Sequence, residues 1–227
     1  LFRSGGMRFP FDPTLVPLPD GRVRLYFTSL KGRRFDEDRP AIFSAISKDG
    51  IDYVVEPGVR FGIEGRPVID CAVVLHAGVF HLYAPDNGTT LQPGRQPGDE
   101  PAEDRPRAGV GYHATSRDGL NFTRADDVRV EGRRRWLGGA LSDGKVITFV
   151  GTAEPGPPAP GRPRMGAWMA TSADGVKWSL LETTAMPGPD PGAVVAKDGG
   201  WIAIATSEPR RNEPSPRPPG PMPAPRN

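Results

Sequence analysis

The sequence has a single cysteine, little net charge and no long hydrophobic run. One cysteine excludes an intramolecular disulfide. A formal net charge of +2, with no basic run interleaved with aromatic residues, gives no reason to expect a nucleic-acid partner. No segment approaches the ~20 apolar residues of a membrane-spanning helix, and none shows a sustained helical period. The 227 residues, 37% of them hydrophobic, suffice for one core of moderate size.

A short motif occurs three times along the chain: Ser-x-Asp-Gly, then two residues, then an aromatic residue. Its aspartates are Asp49, Asp118 and Asp174, which are 69 and 56 residues apart. Recurrence over such distances indicates a repeated structural unit. We predict that these aspartates are structural and that their side chains accept backbone hydrogens within each turn.

A second pattern precedes each motif: a short apolar segment, a tight turn of the Asp-Gly type, and a β-branched or aromatic segment. This pattern is typical of a β-hairpin. The hairpins begin at Asp12, Asp70, Leu137 and Asp190. A third strand is predicted after each of the first three hairpins, at 41–46, 110–115 and 166–171, and the aromatic residue of each motif opens a fourth. Four antiparallel strands in about 50 residues form one propeller blade.

The predicted fold is therefore all-β: a β-propeller over residues 1–208 with three complete blades and a partial fourth. Propellers typically have about 4–8 blades, so strands are missing. Either residues 1–9 supply a strand to the last blade, or the chain is a fragment of a five-bladed protein. Segments rich in proline, glycine and charge are predicted to be unstructured, namely 92–107, 155–163 and the tail 209–227.

The pattern also predicts where acidic side chains meet. In a blade, the start of the first strand and the end of the second share one rim of the central channel. Carboxyl groups occupy these positions at Asp12, Asp70, Asp190, Asp86, Glu154 and Glu208. We expect them to converge and to raise one another's pKa. Glycoside cleavage needs such a set, with one acid to protonate the leaving oxygen and one carboxylate as base or nucleophile. The alternative is that these residues merely begin strands and cap turns.

Two segments, Phe11-Asp12-Pro13-Thr14-Leu15 and Val68-Ile69-Asp70, together with the turns, resemble the five-bladed glycoside hydrolase propellers, which include arabinanases, β-xylosidases and levanases. The resemblance covers roughly residues 8–207. It implies that Asp12 is the base or nucleophile, and that Asp70 tunes the acid and orients the substrate. The family's acid is a Glu at the start of an inner strand, where this chain has Leu137. The acid is then Glu154, Glu208 or Asp190, or it lies in a missing blade, or the protein binds sugar without cutting it.

The turns also resemble the Asp box of sialidases, in which the glycine usually follows the aspartate by two positions instead of one. Sialidases hold a substrate carboxylate with three arginines, a side chain suited to bidentate contacts. Arg8, Arg66 and Arg133 each stand four residues before a blade-start position. We further expect Asp86 to contact the substrate and Trp136 to stack on a sugar ring at the channel mouth.

Three functions remain open: a glycoside hydrolase, a catalytically idle propeller that binds a glycan or another protein, and a sialidase-like enzyme. The expected partner is a carbohydrate, and the oligomeric state is left open. No cofactor or metal is expected, because the chain's histidines, His76, His81 and His113, lack a metal-ligand spacing. The chain begins with Leu1, which is compatible with a removed signal peptide, and we expect a secreted or periplasmic protein.

Overall fold

A computed structural model of the chain describes residues 8–30, 39–89, 104–132, 134–153, 166–181, 188–196 and 198–204. Within these ranges there are fifteen β-strands. The same ranges contain no helix that is long and apolar enough to cross a membrane. The segments 155–163 and 209–227, predicted to be unstructured, lie outside the described residues.

The strands form successive antiparallel sheets, which we call blades I to IV. Blade I contains β1 (Arg8–Pro17), β2 (Val23–Leu30), β3 (Ala41–Ser47) and β4 (Tyr53–Phe61). Blade II contains β5 (Ala72–His76), β6 (Val79–Pro85), β7 (Val110–Ser116) and β8 (Thr123–Arg124), and β9 (Val128–Arg129) also pairs with β7. Blade III contains β10 (Arg134–Ser142), β11 (Ile147–Ala153), β12 (Gly166–Ser172) and β13 (Ser179–Leu181). Blade IV is the hairpin β14 (Gly192–Val195) and β15 (Trp201–Ile204).

The first strands of the blades lie next to one another, because β1 contacts β5, β5 contacts β10 and β10 contacts β14. This arrangement and the four-stranded sheets confirm the β-propeller predicted from the repeats, with a hairpin at each of the four expected places. One alternative is corrected: Arg8 and Phe9 belong to β1 of blade I, where Arg8 pairs with Leu30, and not to the last blade. The predicted unstructured segment 92–107 is also too long, since Arg107 makes ion pairs described below.

The core lies between the faces of adjacent blades, as expected when sheets pack face to face. Aromatic side chains dominate the interface of blades II and III. Trp136 is at its centre, with ring centroids 4.7 Å from Phe149, 5.0 Å from Trp178 and 5.2 Å from Trp168. Aromatic rings bury much apolar area and favour edge-to-face contacts of this kind.

The Ser-x-Asp-Gly turns form the network of side-chain and backbone hydrogen bonds that the sequence predicted. In blade II the Ser116 hydroxyl donates to Asp118 Oδ1 at 2.8 Å and accepts from the N–H of Gly119 at 3.0 Å. Asp118 Oδ1 also accepts the next two backbone N–H groups. The turns at Asp49 and Asp174 repeat this network. Hydrogen bonds to the ionised carboxylate lower the pKa of all three aspartates, that of Asp49 to about 2.

Two of these turns also fasten one blade to the next. The Tyr26 hydroxyl of blade I donates to the carbonyl of Gly119 in blade II, and the Tyr83 hydroxyl of blade II donates to Gly175 in blade III, both at 2.9 Å. Glycine is required at both positions, because φ is +71° at Gly119 and +76° at Gly175. A Cβ would also lie 2.6 Å from the Tyr26 hydroxyl at Gly119 and 2.8 Å from the Tyr83 hydroxyl at Gly175. Gly50 has the same backbone conformation with nothing within 4 Å of its Cβ position.

Gly175→Ala should therefore destabilise the protein more than Gly50→Ala. Both variants place alanine in the left-handed region at a cost of about 1–2 kcal/mol, but only Gly175→Ala also forces a methyl group against the neighbouring blade, which costs about 1–3 kcal/mol more. Urea unfolding of the two variants measures the difference in the free energy of unfolding. Equal losses would contradict a turn that fastens blades together.

Two stacked histidines lie inside blade II. His81 Nδ1 is 3.1 Å from His113 Nε2, and both rings stack on Tyr83. Burial, followed by repulsion between the charged forms of His81 and His113, lowers the pKa of His113 to about 4, and burial also lowers the pKa of His81. His113 Nδ1 is buried and has no hydrogen-bond partner in the part of the chain that the structure describes. Both histidines are therefore neutral in the folded protein at neutral pH.

Stability should fall on acidification because of these histidines. Between about pH 6.5 and pH 4 the unfolded chain binds a proton at His113 that the folded chain does not, so the free energy of unfolding decreases as pH is lowered through that window. The loss attributable to His113 amounts to about 3 kcal/mol at most. Urea titrations at several pH values should show a shallower decline for His113→Gln. Parallel profiles for the variant and the wild type would remove His113 as the cause.

Candidate functional site

Three of the predicted acidic residues come together, one from each of blades I, II and IV. Asp12 lies in β1, while Asp70 and Asp190 lie two residues before the first residues of β5 and β14. The side chains of Asp12 and Asp70 share a hydrogen bond, and the charges of Asp12 and Asp190 both act on Asp70. The charge of Asp12 also acts on the pKa of Asp190. We call these three residues the aspartate cluster, and it stands at the end of the channel where the first strands begin.

The members of the cluster share an uncommon backbone conformation. Their φ angles are +52° for Asp12, +58° for Asp70 and +53° for Asp190. Non-glycine residues seldom adopt this region, although aspartate tolerates it better than most. In β1 the pairing with β2 shifts register on both sides of Phe11, next to Asp12, as at a β-bulge. Such conformations concentrate at functional sites, where they redirect a side chain.

Threonines of the preceding blades hold two of the aspartates. The N–H of Asp70 donates to Thr28 Oγ1 at 3.1 Å, and the N–H of Asp190 donates to Thr152 Oγ1 at 2.8 Å. The two threonines occupy equivalent positions in the second strands of their blades. Each lies five residues after the residue that pairs with the serine of the Ser-x-Asp-Gly motif. The equivalent residue of blade II is Pro85, which has no hydroxyl group, and the next blade has no aspartate at its start. Sequence reasoning missed this pair, although their shared position was a signal.

The surroundings of the cluster favour protonated carboxyl groups. Burial, the hydrogen bond that the protonated Asp70 carboxyl donates to Asp12, and the charges of Asp12 and Asp190 raise the pKa of Asp70 to about 8, and Arg135 partly opposes them. Burial and the charge of Asp12 also raise the pKa of Asp190, the most exposed of the three. A carboxyl group that stays protonated at neutral pH can donate a proton or a hydrogen bond. The interacting acids titrate together.

Asp12→Asn should lower the pKa of Asp70 by about one unit or more, because it removes the charge nearest to that carboxyl group. The pKa is measured by following the carboxyl carbon resonances with pH by NMR. Asp190→Asn, which removes a more distant charge, should produce a smaller decrease. A midpoint for Asp70 that is unaffected by Asp12→Asn would show that the two side chains do not interact.

Asp86 lies at the expected rim, at the end of β6, but its environment differs from the prediction. Its side chain has 0% exposed surface and accepts hydrogen bonds from Tyr112 at 2.7 Å, Gly88 at 2.9 Å, Arg66 at 3.3 Å, and Arg107. Burial alone acts to raise its pKa, but these hydrogen bonds lower it. The expectation that Asp86 shares a mutually raised pKa is therefore wrong, because its carboxylate organises the arginines around it. Its contact with a substrate stays a prediction.

The remaining predicted residues fall into two groups. Trp136 is completely buried, and its indole N–H donates to the carbonyl of Gly109 at 3.1 Å, so the expected stacking on a sugar ring is corrected to a core position. Arg66 is engaged by Asp86 and the hydroxyl of Tyr112. The other predicted side chains lie outside the described part of the structure, and their roles stay predictions. They are those of Arg8, Arg133, Glu154 and Glu208.

A cleft beside the cluster was not predicted. It is lined by Pro85, Asp86, Pro106, Arg107, Ala108, Val110, Arg134 and Arg135. Arg135 donates to Asn87 Oδ1 and is close enough to Asp70 for its charge to lower the pKa of that carboxyl group. The run of arginines that ends at Arg135 was the available signal. Within the described residues no group of three or more His, Cys, Asp or Glu is arranged to hold a metal ion.

Comparisons with known proteins place the chain by its fold. No family model and no curated protein matches its sequence. A family 117 glycoside hydrolase from Zobellia galactanivorans has 15% identity and a TM-score of 0.62, over 88% of this chain and 64% of its own. An N-acetylgalactosamine deacetylase from F. plautii has 17% identity and a TM-score of 0.58, over 84% and 60%. A thermostable family-43 glycoside hydrolase has 12% identity and a TM-score of 0.57, over 86% and 64%.

These likenesses show the fold. The chain resembles the β-propeller glycoside hydrolases, as its blade-start and turn motifs predicted. It spans less than two thirds of the length of each of the three structures. One of the three is named a deacetylase, so likeness of fold alone does not define the reaction.

Proposed function

We propose that the propeller binds a carbohydrate at the aspartate cluster and hydrolyses a glycosidic bond there. The observation that carries this proposal is the convergence of three aspartates from separate blades, with the pKa of Asp70 raised to about 8. Structural likeness to glycoside hydrolases supports a carbohydrate-related role. A glycan substrate also fits the secreted or periplasmic location that we propose for the protein.

The geometry suggests how the roles divide. The two catalytic carboxyl groups of a glycosidase lie about 5–5.5 Å apart in retaining enzymes and about 6.5–9.5 Å apart in inverting ones. Asp12 acts on the pKa of Asp70 more strongly than Asp190 does, so we place Asp12 and Asp70 on the same side of the glycosidic bond. We assign Asp12 as the base or nucleophile, and Asp70 as the residue that orients Asp12.

The acid then comes from across the site. Asp190 interacts with Asp12 through charge, and its pKa is raised, as a proton donor requires. In the proposed reaction Asp190 gives its proton to the leaving oxygen, while Asp12 attacks the anomeric carbon or activates a water molecule that does so. Glu154 and Glu208 remain the alternative acids.

A propeller that binds a glycan or another protein without cutting it is the second candidate. It is favoured by the start of blade III, where Leu137 and Gly138 occupy the position of the family's acid. Gly138 has a φ of +152° at a register shift in β10, so the strand bends there without presenting a carboxyl group. The sialidase-like reading has less support, because Arg66 is already engaged by Asp86.

A panel of aryl glycosides separates the hydrolase from the binding protein. We expect Asp12→Asn and Asp190→Asn to lower kcat/KM by about 100-fold or more. The matched control is Asp20→Asn, in the exposed hairpin turn between β1 and β2, which should retain activity. Turnover that survives Asp12→Asn would remove Asp12 from the mechanism. A wild-type protein that binds glycans but turns over no member of the panel would favour the second candidate.

A further inference from the structure

The cleft beside the aspartate cluster contains three arginines, Arg107, Arg134 and Arg135, and we call it the arginine cleft. They come from two places in the chain that the fold brings together. Arg107 leads into β7, and Arg134 and Arg135 open β10. Side chains at the start of β10 and at the end of β6 share the rim at which the aspartate cluster stands.

The charges in the arginine cleft are only partly neutralised. Arg107 is paired with Asp86 and Asp127. Arg134 donates to a backbone carbonyl, that of Glu131, and Arg135 donates to the neutral amide of Asn87. Within the described residues, neither Arg134 nor Arg135 forms an ion pair with a carboxylate. Among the described residues, the wall of this concave site therefore carries two guanidinium groups that donate to neutral acceptors.

Donors at this site also exceed acceptors. Next to the cleft, the Nδ2 atom of Asn87, whose Oδ1 accepts from Arg135, is buried and has no hydrogen-bond partner among the described residues. Asp86, the carboxylate that lines the cleft, is already saturated by the hydrogen bonds described above. An anionic ligand would supply acceptor oxygens to the guanidinium groups that line the cleft, and arginine binds carboxylate or sulfate oxygens in a bidentate manner.

We propose that the arginine cleft binds an anionic substituent, a carboxylate or a sulfate, on the sugar chain that occupies the aspartate cluster. The inference rests on the proposed function, because it names the class of carbohydrate that the same site accepts. A neutral sugar would offer no counter-charge to these two guanidinium groups, which no carboxylate of the described residues pairs with. Arg135 would orient an acidic sugar, and the neighbouring sugar unit of the same glycan would be held at the aspartate cluster.

Calorimetric binding with matched probes tests this inference. The probes are a galacturonate trisaccharide, its fully methyl-esterified and hence neutral derivative, and a galactose trisaccharide sulfated at O6. We expect the wild type to bind at least one acidic probe about 10-fold more tightly than the neutral ester, the size of one charge-assisted hydrogen bond. The acidic probe that shows this preference distinguishes a carboxylate ligand from a sulfate ligand.

The arginine variants decide where the preference originates. Arg135→Gln and Arg134→Gln should reduce the binding of the acidic probe towards that of the ester, with thermal unfolding as the check on folding. Arg117→Gln removes an exposed arginine from a turn at the opposite end of blade II and should leave the preference intact. A preference that survives both cleft variants, or a wild type without any preference or binding, would overturn the inference. Aryl-glycoside turnover tests the aspartate cluster separately, so the two failures are distinguishable.

Discussion

Packing of each blade against the face of the next is the constraint on which the rest of the structure depends. The Tyr26 and Tyr83 hydroxyl groups reach across to turn glycines of the following blades, and the aromatic cluster around Trp136 fills the space between blades II and III. This packing fixes the order of the first strands around the channel. Aspartates far apart in the sequence can then face one opening, because Asp12 lies at the bulge of β1 while Asp70 and Asp190 lie two residues before β5 and β14.

The charges of the aspartate cluster reduce the stability of the folded protein. The folded protein keeps Asp70 protonated up to about pH 8, whereas the unfolded chain releases this proton near the ordinary pKa of about 4. The folded state therefore binds more protons between these values, and the contribution of Asp70 to stability declines as pH rises through them. Left-handed backbone at all three aspartates adds strain. An arrangement that opposes folding in these two ways is typical of a functional site.

Local patterns predicted the fold well, because hairpins, Asp-Gly turns and blade repeats depend on residues close in sequence. The equivalent positions of Asp12, Asp70 and Asp190 in the repeats also predicted that these residues would approach one another. The sequence did not predict which residues at the rim are buried: Trp136 and Asp86 lie where expected, but both side chains are enclosed by protein. Thr28 and Arg135 were missed because their roles depend on residues of another blade, which one sequence does not reveal.

The central claim is that the starts of the first strands in blades I and IV face one opening. Paired cysteines, introduced after Cys71→Ala removes the native thiol, test it most directly with a short bifunctional thiol reagent and mass spectrometry. The account predicts efficient intramolecular cross-linking of Asp12→Cys with Asp190→Cys. It predicts little for Asp12→Cys with Asp174→Cys, whose turn lies at the opposite end of blade III. Equal yields for the two pairs, or the reverse order, would contradict it.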